Sequence, residues 1–172
     1  MKEEAFILGT LDELNIAYEI ISHPPAFTVE ALKSFCVFDA SVCKNLFLYD
    51  KRADKHYLVV MLAEKKAHSN TIRKQVQAGS LVFGSPDKLF ELLGVTPGSV
   101  SPLGLIHDKN KELTLLIDED IPKHPRLGFH PNRNTSTVII SYDDFEKFIN
   151  WCGNAYQYIS VTKETALNNE ST

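Results

Sequence analysis

The chain has 172 residues, 44% of them hydrophobic and 23% charged, and its 18 basic and 22 acidic side chains leave a formal net charge of −4. A length near the modal domain size predicts one domain, and the ordinary composition excludes disorder, collagen and coiled coil as descriptions of the whole. The acidic balance argues against a protein that coats nucleic acid through a broad basic surface, though it leaves contact with one RNA end open.

Phe6, Ile7, Leu11 and Leu14 recur at helical spacing and predict an amphipathic helix over Glu3 to Asn15. Ile16 to Ile21 alternates and reads as a strand, which the prolines of His23-Pro24-Pro25 end. Thr28 suits an N-cap for a short helix to Phe35. Asn45 to Tyr49 and Tyr57 to Leu62 are strand-like, joined by the polar loop Asp50 to Lys55. Ser69 is placed to cap a helix to about Gln77, with Gly79 as its stop; Ser80 to Phe83 then reads as a short strand. Ser85-Pro86 opens a helix over Asp87 to Leu93 that Gly94 terminates. Val95 to Pro102 is a loop, and Leu103 to Ile106 and Leu113 to Ile117 are strand candidates on either side of a turn at Asp108 to Lys111. Gly128 to His130 and Thr137 to Ile140 are two more strands, and Ser141 caps a last helix to about Trp151. Irregular interleaving of helices and strands, with hairpin-length connections, predicts an α+β fold with a mixed sheet. We expect a single domain over residues 1–161 and a polar, flexible tail over 162–172.

The longest apolar runs, such as Tyr57 to Ala63, fall far short of the ~20 residues that a membrane-spanning helix needs. Met1-Lys2-Glu3-Glu4 opens no secretory signal. Cys36, Cys43 and Cys152 are an odd number without paired spacing, which fits a reducing, cytoplasmic compartment and small buried hydrophobes. A nucleophile at Cys43 is conceivable, but no neighbour in sequence would activate it. No phosphate-cradling loop or Gly-x-Ser-x-Gly elbow is present, and His124 and His130 are a weak signal for a metal.

Three segments look costly for a merely structural protein. Lys44-Asn45 heads the apolar strand Leu46-Phe47-Leu48, where a lysine either snorkels to solvent or turns into a cleft to meet an anion. Gly98-Ser99-Val100-Ser101-Pro102, after Thr96-Pro97, is a stiff loop; it is either a connector or a set of main-chain groups able to position water or polarise a carbonyl. Gly128-Phe129-His130-Pro131 with Asn132 to Ser136 packs an imidazole, two amides and a guanidinium together, which suits a polar ligand or an Asn-stabilised turn.

In this order the segments resemble the YbaK and prolyl-tRNA synthetase editing-domain superfamily, and within it the free-standing prolyl-tRNA deacylase branch called PrdX or ProXp-ala. The stretches that carry the resemblance are His23-Pro24-Pro25 through Phe27-Thr28-Val29-Glu30, Lys44-Asn45-Leu46-Phe47-Leu48, Leu93-Gly94-Val95 with Pro97 to Leu105, and Phe129-His130-Pro131 with Asn134-Thr135. The chain departs from the pattern at Ala40 to Cys43, where relatives carry glycine and histidine, and at Asn132-Arg133, where they carry an aliphatic residue.

The resemblance implies a mixed, partly closed, barrel-like β-sheet flanked by helices. It implies hydrolysis of the ester between a wrong amino acid, alanine first, and tRNA(Pro), with no cofactor. It assigns Lys44 and the loop Gly98, Ser99, Val100, Ser101 and Pro102 to catalysis, and Asn45 and His130, with Asn134 in the matching stretch, to substrate binding; Phe27 and Thr28 are candidate walls of a pocket that excludes proline by size, or else ordinary core packing and a helix cap. The expected partner is the acceptor end of mischarged tRNA(Pro), delivered by prolyl-tRNA synthetase or an elongation factor, with no membrane involved. Esters of this kind are already activated, so positioned water and oxyanion stabilisation suffice without a covalent nucleophile. His130 as general base ranks second. Removal of cysteine from the same tRNA, a non-catalytic tRNA-binding module and a sensor of free proline are the competing readings.

Overall fold

The computed structural model describes residues 2–26, 28–35 and 39–163. In chain order these form α1 (Lys2–Glu13), β1 (Glu19–Ser22), α2 (Val29–Phe35), β2 (Ser41–Asp50), β3 (Lys55–Leu62), α3 (Ser69–Gln75), β4 (Leu81–Phe83), α4 (Pro86–Leu93), a 3-10 helix (Pro102–His107), β5 (Leu113–Asp118), a second 3-10 turn (Ile121–Lys123), β6 (Arg126–Phe129), β7 (Ser136–Ser141), α5 (Tyr142–Cys152) and β8 (Tyr156–Ile159).

The strands build one mixed sheet in the order β1-β7-β6-β2-β3-β5-β8, with β4 branching from β2. β2/β6, β3/β5 and β5/β8 are parallel and the other pairs antiparallel. The sheet is open, with β1 and β8 as its ends, so helices flank it as expected but it does not close into a barrel.

Both faces of the central strands are covered, which is why β3 is buried along nearly its whole length and reads in sequence as a continuous apolar run. One face carries Cys43 and Phe47 of β2, Leu58, Val60 and Leu62 of β3, and Leu113, Leu115 and Ile117 of β5; α1, α4, α5 and the first 3-10 helix pack on it. The other face carries Leu48, Tyr57, Val59, Met61 and Leu116 under Ile72 of α3.

Local chemistry sets most element ends as the sequence predicts. Thr28 Oγ1 accepts from Ala31 N (3.1 Å), Ser85 Oγ from Lys88 N (3.1 Å) and Ser141 Oγ from Asp144 N (3.0 Å), each satisfying a donor that the first helical turn leaves free. Several expectations are corrected. α3 ends at Gln75 with Val76 as its C-cap, ahead of Gly79. The cap of α3 is His68, whose Nδ1 accepts from Thr71 N, with Ser69 already helical. Asp50 belongs to β2 and is buried; its carboxylate accepts from the amides of Arg52, Gly79 and Ser80 (3.0–3.2 Å) and fastens the entry of β4 to the end of β2.

Leu103 to Ile106 is a 3-10 helix and not a strand. Ser101 Oγ caps it through Leu103 N (3.2 Å), and Pro102 suits its first position. Its apolar run packs against α4, where a strand's alternation is not needed. β8 was not expected: its side chains alternate poorly between buried and exposed, and its pairing comes from the edge that β5 offers.

The 3-10 helix can approach α4 because position 104 is glycine. A Cβ there would stand 2.7 Å from the Leu93 carbonyl oxygen and 3.1 Å from Leu93 Cβ. Gly104→Ala is expected to cost about 1–3 kcal/mol by overpacking a backbone contact that cannot yield. Urea unfolding monitored by circular dichroism measures this, and an unchanged midpoint would contradict the close approach.

Candidate active site

β2 shares one of its edges between two strands. β6 pairs with Ser41 and Val42 at one end, and β4 with Leu48 to Asp50 at the other. Among the described residues, no strand pairs with the interval between them. Val42 O accepts from Ala63 N on the β3 side, whereas Phe47 O accepts from Gly84 N on the β4 side. By strand alternation the main chain of Asn45 faces the open interval. The loop 95–101 fills part of this gap, held by a single side chain: Asn45 Nδ2 donates to Val100 O (3.1 Å).

A cleft of about 180 Å³ remains, lined by Ala26, Thr28, Leu32, Val42, Cys43, Lys44, Asn45, Gly98, Val100 and His130. Lys44 and Asn45 leave β2 on opposite faces, and both reach the cleft because the edge between them is open. The Lys44 ammonium donates one hydrogen to the Lys65 carbonyl, which leaves two of its three donors uncommitted in this contact. It is the one charged side chain among the described residues of the lining. Because Nδ2 is committed to Val100, the buried Asn45 Oδ1 is left without a hydrogen-bond partner among the described residues; an amide flip would set two carbonyl oxygens against each other.

Gly98 sits at φ +93, a conformation that side-chain-bearing residues rarely adopt, so the loop's main chain stands bare at the cleft. Ser99 N donates to Thr96 O (3.2 Å) and stiffens the turn. The opposite wall is set by His23, whose Nδ1 lies 2.8 Å from Pro24 O and Nε2 2.9 Å from Thr137 Oγ1, and by two backbone bonds, His23 N to Thr135 O (2.9 Å) and Ala26 N to Asn134 O (3.0 Å). His130 donates from Nδ1 to Ser136 O (3.0 Å), which fixes the neutral tautomer with Nε2 as a free acceptor.

Of the residues expected at the site, Thr28, Lys44, Asn45, Gly98, Val100 and His130 converge on the cleft. Ser99, Ser101 and Pro102 do not line it. Ser101 and Pro102 are buried beneath, where they start the 3-10 helix. Asn134 serves through its main-chain carbonyl, and Phe27 lies outside the described residues. The dense polar run after His130 is a clamp: Asn132 Nδ2 donates to Leu93 O (3.1 Å) and Glu3 Oε1 (3.0 Å), and Arg133 pairs with Glu4 (3.1 Å). The sequence offered no sign of Ala26, Leu32, Val42 and Cys43 as lining, since apolar residues at a cleft look like core.

Burial, with the Asp118 charge behind it, raises the Cys43 thiol far above its ordinary range, so no thiolate is supplied there. His124 Nδ1 bonds Ser41 Oγ (2.6 Å), and among the described residues no group of three His, Cys, Asp or Glu is placed to hold a metal ion. Nor is any described helix long and apolar enough to cross a membrane.

An aminoacyl-tRNA editing domain model matches residues 23–148. The prolyl-tRNA editing protein ProX of Acetoanaerobium sticklandii is 33% identical over 162 residues, covering 94% of this chain and 99% of its own. Prolyl-tRNA synthetase associated domain-containing protein 1 of Mus musculus is 31% identical over 148 residues, 83% of this chain and 87% of its own. The crystal structure of a candidate trans-editing enzyme for prolyl tRNA synthetase shares the fold at a TM-score of 0.73 and 15% identity, over 95% of this chain and 99% of that one.

Burial pushes the His130 imidazole below the ordinary histidine range; the Ser136 carbonyl opposes this and His23 adds to it. The unfolded chain therefore takes up this proton first. The stability that neutral His130 contributes is complete above the unfolded value near 6.5 and is lost as pH falls through the lower folded value. His130→Gln should flatten the dependence of unfolding free energy on pH from roughly 6.5 downward. Equal slopes in variant and parent would refute the buried neutral imidazole.

Proposed function

This chain belongs to the aminoacyl-tRNA editing domain family, and from that membership we propose that it hydrolyses the ester of tRNA(Pro) charged with a wrong amino acid, alanine first. Water attacks the ester carbonyl, the acyl–oxygen bond breaks, and the ribose oxygen leaves carrying a proton. Alanine and an intact tRNA are the products.

One observation supports the reading: among the described residues, a lone ammonium, an asparagine that holds the loop in place and bare main chain line the same small cleft. In the proposed arrangement Lys44 supplies positive charge beside the ester, where charge builds up on the carbonyl oxygen in the transition state. The Gly98 and Val100 main chain orients the attacking water. Asn45 keeps that main chain in place through Val100 O, and His130 Nε2 accepts from a ribose hydroxyl. The Cys43 thiol stays protonated, so the acyl group passes to water directly and not through a thioester.

Selectivity follows from size. Ala26, Leu32, Val42 and Cys43 line the cleft with apolar groups; in the proposed arrangement they take up a methyl side chain, and the larger cognate prolyl ring is excluded by overlap. Attraction alone discriminates poorly: one methylene is worth only about 1–3 kcal/mol in such a pocket. Exclusion of the larger group is not bound by that limit.

A panel of alanyl-, cysteinyl- and seryl-tRNA(Pro), with prolyl-tRNA(Pro) as control, tests the proposal. Alanyl-tRNA(Pro) should be deacylated fastest and the prolyl form spared, and Lys44→Ala should lower the rate roughly 10²–10³-fold with the fold intact. Faster cleavage of the cysteinyl form would move the specificity to cysteine. Binding without turnover of any member would make the protein an RNA-binding module instead.

A further inference from the structure

The β2–β3 register sets Lys44 opposite Met61, and the parallel β3–β5 register, carried one residue past Val60 and Ile117, sets Met61 beside Asp118. Residues in one such row share a face, so Lys44 and Asp118 project to the same side, two strand spacings or roughly 10 Å apart at Cα. Asp118 is fully buried. A buried carboxylate at this range would draw in any uncommitted ammonium within reach, because an unpaired buried charge is costly.

Another lysine already occupies it. Lys65 Nζ lies 2.7 Å from Asp118 Oδ1 and 2.6 Å from Asp120 Oδ2, and Lys123 Nζ lies 2.6 Å from Asp120 Oδ1. Leu62 N (3.2 Å) and Asp120 N (3.1 Å) donate to the two oxygens of Asp118. Two cations thus match two carboxylates, and nothing is left for Lys44 to neutralise. Burial works against charge on Lys65, yet Asp118 and Asp120 raise its pKa, and Lys123 and Lys65 hold Asp120 down to about 2. The main-chain carbonyl of the same Lys65 receives the Lys44 ammonium.

We propose that Lys65 is a positioning residue for the reaction: its side chain saturates Asp118 and Asp120 while its carbonyl holds Lys44, so the Lys44 charge stays uncompensated at the cleft. The inference rests on the role given to Lys44 above. It states that the site needs two lysines, one to act and one to keep a buried carboxylate from claiming the first.

The experiment is single-turnover deacylation of alanyl-tRNA(Pro), or of whichever mischarged form the panel shows to be cleaved fastest. Lys65→Met should lower kcat roughly tenfold or more with KM little changed, because the freed Asp118 captures Lys44. Lys65→Arg keeps the charge and should hold most of the rate. The double variant Lys65→Met with Asp118→Asn removes the competing carboxylate and should recover most of kcat, whereas a purely structural role predicts a further loss. A double variant no faster than Lys65→Met, or a Lys65→Met protein as fast as the parent, overturns the inference. Should Lys65→Met fail to fold by circular dichroism, the double variant, which leaves Asp118 uncharged, is compared with Lys65→Arg; a kcat roughly tenfold or more below Lys65→Arg overturns it. Lys44→Ala at the parental rate would overturn the role of Lys44 and this inference together. An inactive Lys44→Ala beside a fully active Lys65→Met would overturn the inference alone.

Discussion

A strand edge must be satisfied or covered, and the edge of β2 is satisfied only at its ends. β6 holds Ser41 and Val42, β4 holds Leu48 to Asp50, and the main chain at Asn45 is left facing a gap. Had one strand run the whole length, its side chains and ladder would have filled the space that is now a cleft. The Asn45 amide takes on part of the missing ladder by binding Val100 O, which brings a loop to the place of a strand. That hydrogen bond holds the bare main chain at Gly98 and Val100 against the side chains of β2, and the loop side of the candidate site depends on it.

The gap persists because its surroundings are stiff. The apolar clusters on both faces of the sheet hold β2 and β3 in register, and Asp50 ties β4 to the end of β2 through three backbone amides. On the far wall, His23 and the 134–135 backbone fix the segment that carries Ala26 and Thr28. Asn132, at φ +57, binds the Leu93 carbonyl and Glu3, coupling α1, α4 and the turn after β6. A preorganised cleft of this kind can favour a transition state without a covalent intermediate, since its groups need no reorganisation as charge develops.

Elements whose ends are decided by local chemistry were legible from the residues. Ser85-Pro86 with Gly94, Ser141 with its acidic first turn and Thr28 all act where the sequence places them. The errors share a cause. Leu103 to Ile106 was read as a strand because its apolar residues run together, while its true structure is dictated by α4 and by the cap at Ser101. Tyr156 to Ile159 shows little alternation and becomes a strand only because β5 offers it an edge. Asn132 and Arg133 suit a polar ligand or an Asn-stabilised turn on sequence alone, and the partners that decide their role, Leu93, Glu3 and Glu4, lie far away in the chain.

From its sequence alone this protein reads as an α+β fold, because composition, caps, turns and residue order are properties of the chain itself, and the resemblance to a known family is what ties the motifs around Lys44, Gly98 and His130 to one site. Which of those residues share a cavity was decided by the fold. Lys44 and Asn45 leave opposite faces of one strand and meet only because its edge is open; Ser101 and Pro102, in the same loop as Gly98, fall beneath the surface. The pairing of Lys65 with Asp118, which keeps Lys44 free of a carboxylate, joins residues more than fifty positions apart, and no pattern local to either one could announce it.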